Sequence, residues 1–445
     1  MPQGGAAEEV LPSPGRRPRR PCAYRGSVVH SLGLGHLKVM EDAAIVVGAD
    51  GCVSAVHDCG GGGASAREAL SGVEVVDLRG KLIMPGFVDG HAHAPQYAFA
   101  GTGMDMPLLQ WLETYTFPCE AKFKDADFAR QVYKRSVRRH LRNGTTTCSY
   151  FATIHVDACK VLVDEVKQQG QRAYVGKVSM DRNSPEYLVE TTAEAKRDAV
   201  AFAEFGRVFG LVTPVVTPRF VPSCTAELLA ALGELSRSRM LPVQSHLSES
   251  PGEIAWVRDL HLECDSYTGV YERYGLLHER SYYAHCVHCN PGERALLAGT
   301  GAGVVHCPSS NFMLSSGVCN VRRYLREGVK VGLGTDVAGG YSASMLDCIR
   351  QAIIASRVCS FGHGLEEGEE PIDAINFQEA FHLATQGGAE VLGLGDVIGN
   401  FVPGKQFDAL VIDPMGFAST EVVPPLLPPG APTEEEGGVV PPPPP

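Results

Sequence analysis

The chain has 445 residues, of which 44% are hydrophobic and 20% charged, and a formal charge of -12. Its length allows a large core. The acidic balance repels phosphate backbones and excludes nucleic acid as a partner of the folded body. No apolar run reaches the roughly 20 residues of a membrane helix, so no membrane partner is expected and a small-molecule substrate is.

Residues 1–21 read as a disordered tail: they are rich in proline, the basic run Arg16, Arg17, Arg19 and Arg20 lies among prolines, and no apolar segment follows it as in a secretory signal. A cytoplasmic location is expected. The 14 cysteines are scattered along the chain, which suggests reduced thiols rather than a disulfide framework.

Residues 22–82 show short apolar runs broken by turns, "SVVHSL", "AAIVVGADGCVSAV" and "VEVVDLRGK". The Asp50-Gly51 step between two of them predicts a hairpin, and "CGGGGASA" a surface loop. From 83 to 397 the rhythm becomes strand, polar strand end, then helix. Eight strands are expected at "KLIMPGFVD", "GTTTCSY", "RAYVGKVSM", "GLVTPVVTP", "LPVQSH", "SYYAHC", "GAGVVHCP" and "VKVGLGTD", with helices such as Asp125 to Leu141 and Thr225 to Ser238 between them. That alternation predicts an α/β fold, a (β/α)8 TIM barrel. "GNFVPGKQFDALVID", within 398–414, reads as two short strands that return to complete a small discontinuous β-sandwich domain with 22–82. Residues 415–445 form a proline-rich tail, expected to be disordered.

The polar residues at barrel strand ends are those to inspect for chemistry. His91 and His93 end the first strand, His246 the fifth with Glu249 after it, His285 the sixth, His306 the seventh, and Asp336 the eighth. Residues two apart on an extended segment face one side, so His91 and His93 can chelate one ion, and His246 and Asp336 can supply the other ligands. Imidazoles with a carboxylate suit zinc. Pro85, Gly86 and Gly90 are expected to shape a close turn around the pair. A lone His-x-His arises easily by chance, whereas satisfied core histidines have no reason to collect at the ends of several strands opposite an acid. His306 fits a place behind the site. Cys286 and Cys289 lack a second cysteine pair and read as bystanders. Ser309 and Ser310 lack a nucleophile elbow, and no phosphate-binding glycine pattern occurs.

"MPGFVDGHAHAPQYAFAG", "FPCEAKF", "NGTTTCSYFATIH", "VTPRF", "QSHLSES", "HCPSSNFMLSSG" and "GLGTDVAGGYSASMLDCIR" resemble the guanine deaminase family of the amidohydrolase superfamily, over residues 22 to 414. The resemblance implies one zinc per subunit held by His91, His93, His246 and Asp336. It also implies guanine contacts from His93, Ala94, Pro95, Gln96, Arg219, Phe220, His246, Leu247, Ser248, Glu249 and Asp336. An arginine fork suits a purine carbonyl and its neighbouring ring nitrogen, and an aromatic ring can stack on the base. The implied reaction is hydrolytic deamination of guanine to xanthine and ammonia. In it Asp336 takes the water proton, Glu249 shuttles a proton to the ring nitrogen and the departing amine, and His285 orients the attacking oxygen. A homodimer is implied as well. The alternatives are a related amidohydrolase acting on another heterocycle, and a low-activity isoform serving as a binding or scaffold protein. The chain departs from the family pattern at Pro95, Cys286, Phe312 and Met313, and the proline-rich tail stands where further strands of the small β domain are usual.

Overall fold

The computed structural model describes residues 20–60, 70–206, 210–362 and 373–415. Both expected tails lie outside these residues apart from Arg20, Pro21 and Met415, as does the glycine loop beyond Gly60.

The chain begins with four strands of one sheet, β1 (Cys22–Gly33), β2 (His36–Val47), β3 (Val53–Asp58) and β4 (Glu74–Pro85). The hairpin expected at Asp50-Gly51 joins β2 to β3: Gly51 takes φ +81°, and Asp50 Oδ1 accepts a hydrogen bond from the Cys52 amide at 3.0 Å. Gly86 alone then separates β4 from β5 (Phe87–His93). The single strand expected at "KLIMPGFVD" is therefore two, one in each sheet.

After β5 come β6 (Thr145–Phe151), β7 (Arg172–Gly176), β8 (Val178–Ser179), β9 (Val212–Pro214), β10 (Thr217–Pro218), β11 (Val243–Leu247), β12 (Ser281–His285), β13 (Gly303–His306) and β14 (Lys330–Leu333). They form two parallel four-stranded sheets, ordered β5-β6-β7-β9 and β11-β12-β13-β14, while β8 pairs with β10. A bridge between Val216 and Val243 links the sheets on one side. On the other, the Asp336 and His93 amides donate to the carbonyls of His91 and Val337, each at 2.8 Å. The third and fourth expected strands are each broken into two pieces. Pro214 and Pro218 have no amide to donate to a ladder, and a Cβ on Gly176 would stand 1.9 Å from Thr217 Oγ1. All seven residues of β5 are buried, as befits a parallel strand covered on both faces.

The helices between strands follow their caps. Asp125 accepts from the Asp127 and Phe128 amides at the start of Ala126–Arg142, and Thr225 from Leu228 at the start of Ala226–Arg239. The last strand, β15 (Ala409–Ile412), lies antiparallel on β4 and gives the first sheet the order β15-β4-β1-β2-β3. Only one strand forms between 398 and 414, not the expected pair: Gly404 turns the chain with φ +96°, and Gln406 keeps a single bridge to Cys52.

Gly86 and Gly90 serve close packing rather than a turn, since neither has positive φ. A Cβ on Gly86 would lie 1.8 Å from Thr146 Oγ1, and one on Gly90 would lie 3.0 Å from both Val305 methyls. All 14 cysteines are free thiols. Among the described residues no helix is long and apolar enough to cross a membrane.

Candidate metal and substrate site

The strand ends bring the expected donors together. His91 Nε2 stands 3.1 Å and His93 Nε2 3.4 Å from Asp336 Oδ1. His93 Nε2 and His246 Nε2 face each other at 3.2 Å. Donor atoms of His91, His93 and Asp336 lie within 4.8 Å of one another, and so do those of His91, His246 and His285. His91, His93 and Asp336 are buried, while His246 is partly exposed. Two of these residues take positive φ, Asp336 at +46° and His285 at +72°.

The donor set fits a divalent cation. His246 Nδ1–H donates to the Arg219 carbonyl at 2.6 Å, which leaves the Nε2 lone pair facing inward. His91 Nε2 and His93 Nδ1 are buried without a hydrogen-bond partner. Burial holds the imidazoles of His91, His93 and His246 below the ordinary histidine value, and the neutral form is the one that ligates. Burial alone would raise the Asp336 carboxyl, but His91, His285 and His93 hold it well below the usual range, so it is available as an anion.

His285 and Glu249 stand at the edge of this cluster. His285 Nδ1–H donates to Asn311 Oδ1 at 2.9 Å, directing Nε2 toward Glu249 Oε2 at 3.5 Å and Asp336 Oδ2 at 3.7 Å. Burial opposes its protonation, but those two carboxylates raise its pKa. The buried Glu249 carboxyl is raised to about 7, mainly by burial and further by Glu253 and Asp336; Ser316 Oγ donates to its Oε1 at 2.9 Å. That value suits a group that both accepts and returns a proton near neutrality.

A cavity with about 410 Å³ of empty space, part of it open to solvent, lies beside these residues. Of the expected substrate contacts, His93, Gln96, Arg219, Phe220, His246, Glu249 and Asp336 line it. Ala94, Pro95, Leu247 and Ser248 are buried beside it without reaching its wall. Pro95 is the second residue of the short 3-10 turn Ala94–Phe99, where its missing amide costs nothing. Cys286 adopts φ +48° and, like Cys289, joins no donor cluster among the described residues; Phe312 and Met313 stay off the cavity wall. His306 is fully buried, lies off the wall, and has neither nitrogen hydrogen-bonded.

Sequence reasoning missed four residues that build the site. Glu253 Oε2 accepts from the Glu249 and Ser250 amides at 3.0 and 3.4 Å, and its Oε1 accepts from Tyr267 OH at 2.7 Å. The capping box Ser250-x-x-Glu253 that opens the helix Pro251–Leu260 was a readable signal for it. Glu120, within "FPCEAKF", holds Arg219 and Gln96 from behind. Trp111 lines the cavity and Asn311 orients His285. A third cluster, Asp89, His140 and Cys148, lies deeper. There the Asp89 oxygens already accept from Thr335 N at 3.0 Å, Thr335 Oγ1 at 2.6 Å and the His91 amide at 3.2 Å, so the carboxylate braces the donor strand.

Parallel strands separated by helices, with histidines and an aspartate converging at their ends, define the amidohydrolase class. The Amidohydrolase family model matches residues 82–434, and the chain belongs to that family. Within it the chain stands among the guanine deaminases. The guanine deaminase of Dictyostelium discoideum is 45% identical over 408 residues, covering 88% of each chain. A crystal structure of guanine deaminase from C. acetobutylicum with bound guanine in the active site superposes with a TM-score of 0.82 at 38% identity, covering 88% of this chain and 90% of that one. An adenosine deaminase from Xanthomonas campestris with bound zinc has a TM-score of 0.77 at 26% identity, covering 91% of this chain and 88% of that one.

Proposed function

We propose that the chain hydrolyses guanine to xanthine and ammonia with one zinc per subunit, held by His91, His93, His246 and Asp336. The observation that carries the reading is their convergence, His91 and His93 within 3.4 Å of Asp336 and His93 within 3.2 Å of His246, beside a cavity that offers Arg219 and Gln96. The relatives whose names record guanine support the substrate, and the zinc-bound neighbour supports the metal.

When bound, zinc supplies Lewis acidity that makes water a usable nucleophile near neutral pH. The residues do the rest. Arg219 and Gln96 present donors to the carbonyl edge of the purine while Phe220 packs on the ring, and Ala94, Pro95, Leu247 and Ser248 shape the backbone beside it. Asp336 accepts a proton from the attacking water as its oxygen bonds to the carbon bearing the amine. Glu249 delivers a proton to the ring nitrogen, takes up the hydroxyl proton of the tetrahedral carbon and passes it to the amine, which leaves as ammonia, and the proton held by Asp336 then restores Glu249. His285, fixed by Asn311, orients the incoming oxygen and stabilises the charge on the tetrahedral carbon's substituents.

For the whole chain the same reading has the two parallel sheets closing as a (β/α)8 barrel over 83–397, a small discontinuous β-sandwich domain from 22–82 and 398–414, and a cytoplasmic homodimer. The experiment is ultraviolet monitoring of guanine with purified protein, with and without a chelator and beside adenine and cytosine as substrates. Xanthine formation from guanine that the chelator stops is expected. Turnover of another base in preference to guanine, or chelator-insensitive activity, overturns the proposal.

A further inference from the structure

The Glu120 carboxylate belongs to no catalytic step, yet it controls the substrate end of the cavity. It is buried, 1% exposed, on the short helix Phe117–Glu120 and does not line the cavity itself. Its Oε2 accepts from Arg219 Nη1 at 2.6 Å, and its Oε1 accepts from both Arg219 Nη2 at 3.2 Å and Gln96 Nε2 at 3.0 Å. Arg219 is 3% exposed and Gln96 1%. The Phe117 ring lies under the guanidinium at 5.3 Å, and Gln96 Oε1 accepts from the Ala338 amide at 3.3 Å. The fork and the amide are thus clamped from behind. A guanidinium has five N–H donors, so the two spent on Glu120 leave three, and Gln96 keeps one of its amide hydrogens.

The charge balance matters as much as the clamp. Among the described residues Glu120 is the ion-pair partner of Arg219, and the pair sums to zero inside a buried site. An unbalanced buried guanidinium would draw an anion. A balanced one offers directed donors with no net charge, which suits a neutral ring carbonyl and leaves a negatively charged ring uncompensated.

We propose that Glu120 is a positioning residue that makes the purine-reading end of the cavity electrically neutral, so that the site selects an uncharged purine carbonyl over an anionic purine. This rests on Arg219 and Gln96 being the substrate contacts. It deepens that reading by naming the charge state of the ligand the site accepts.

The test compares the wild-type holoenzyme with Glu120→Gln and Glu120→Asp. KM and kcat for guanine are measured together with inhibition by urate, a purine that is anionic at neutral pH, and by hypoxanthine, a neutral purine with a ring carbonyl. In Glu120→Gln the loss falls chiefly on KM, which rises at least tenfold, because the contact is made equally in ground and transition states. Urate inhibition strengthens several-fold while hypoxanthine inhibition weakens. Glu120→Asp keeps the charge but draws the carboxylate back by one methylene, so it raises KM without improving urate. A wild-type KM in either variant, or equal weakening of both inhibitors in Glu120→Gln, overturns the proposal. If Glu120→Gln does not fold, the wild-type holoenzyme decides: it is expected to bind hypoxanthine more tightly than urate, and equal or tighter binding of urate overturns the proposal. Wild-type protein that ignores guanine refutes the underlying reading instead, so the two failures are distinguishable.

Discussion

His91 belongs to both donor clusters, one with His93 and Asp336 and one with His246 and His285. His91→Ala removes a donor common to both, and it is expected to lose bound zinc, read by elemental analysis, together with all measurable deamination. Glu249→Gln separates proton transfer from ligation: zinc content is expected to stay at the wild-type level while kcat falls by about 10²-fold or more, the usual scale for a lost general acid–base group. The same substitution has a pH signature in chelator-treated protein. The folded state raises the Glu249 carboxyl from 4.5 to about 7, so its contribution is fully present below 4.5, is lost as pH rises toward 7, and changes no further above that. Relative to wild type, Glu249→Gln is therefore expected to be level at low pH and more stable by about 3 kcal/mol above pH 7, measured by denaturant unfolding across pH. The convergence of His91, His93, His246 and Asp336 was legible because histidine pairing and strand-end position are local patterns. Glu120 was not, because its meaning depends on Arg219, 99 residues away in the chain, and nothing local distinguishes a buried acid from a surface one.

At the scale of elements, the segment Glu249 to Leu260 joins the proposed proton-transfer residue to helix capping. Glu253 caps its own helix, holds the Glu249 amide and takes the Tyr267 hydroxyl. Glu253→Ala is expected to cost about 2–4 kcal/mol and to lower kcat as well, because the backbone that aims Glu249 loses its anchor; thermal unfolding and guanine kinetics on one preparation check both. Gly86 is expected to be equally intolerant for a steric reason. Gly86→Ala pushes a methyl into Thr146 and Asp408 and is expected to lose about 2–4 kcal/mol of stability. The alternation of strand and helix was readable from apolar runs and caps. The division of the first and third expected strands was not, because it goes with contacts to other strands, Gly86 against Thr146 and Gly176 against Thr217, whereas Pro214 and Pro218 marked the break in the fourth.

For the molecule as a whole, the proposed zinc donors come from both parallel sheets, His91 and His93 from the first, and His246 and Asp336 from the end of β11 and just beyond β14 in the second. An ion held by all four ties the sheets across the mouth. Chelation is therefore expected to lower the midpoint of thermal unfolding by several degrees, and added zinc to restore it, since a ligand at a thousand times its Kd contributes about 4 kcal/mol to the folded state. An unchanged midpoint in a calorimetric scan of stripped and reloaded protein would contradict that coupling. Gly86 carries a further consequence. It is the whole connection between Pro85, paired with β15, and Phe87, which opens the donor strand. Outer sheet and imidazoles therefore share one phase, and a single inserted residue has only two outcomes. Either β4 keeps its partners and the imidazole pair swings away from the aspartate, or the pair stays and the outer sheet slips by half a pleat, so neither part can be lengthened without deranging the other.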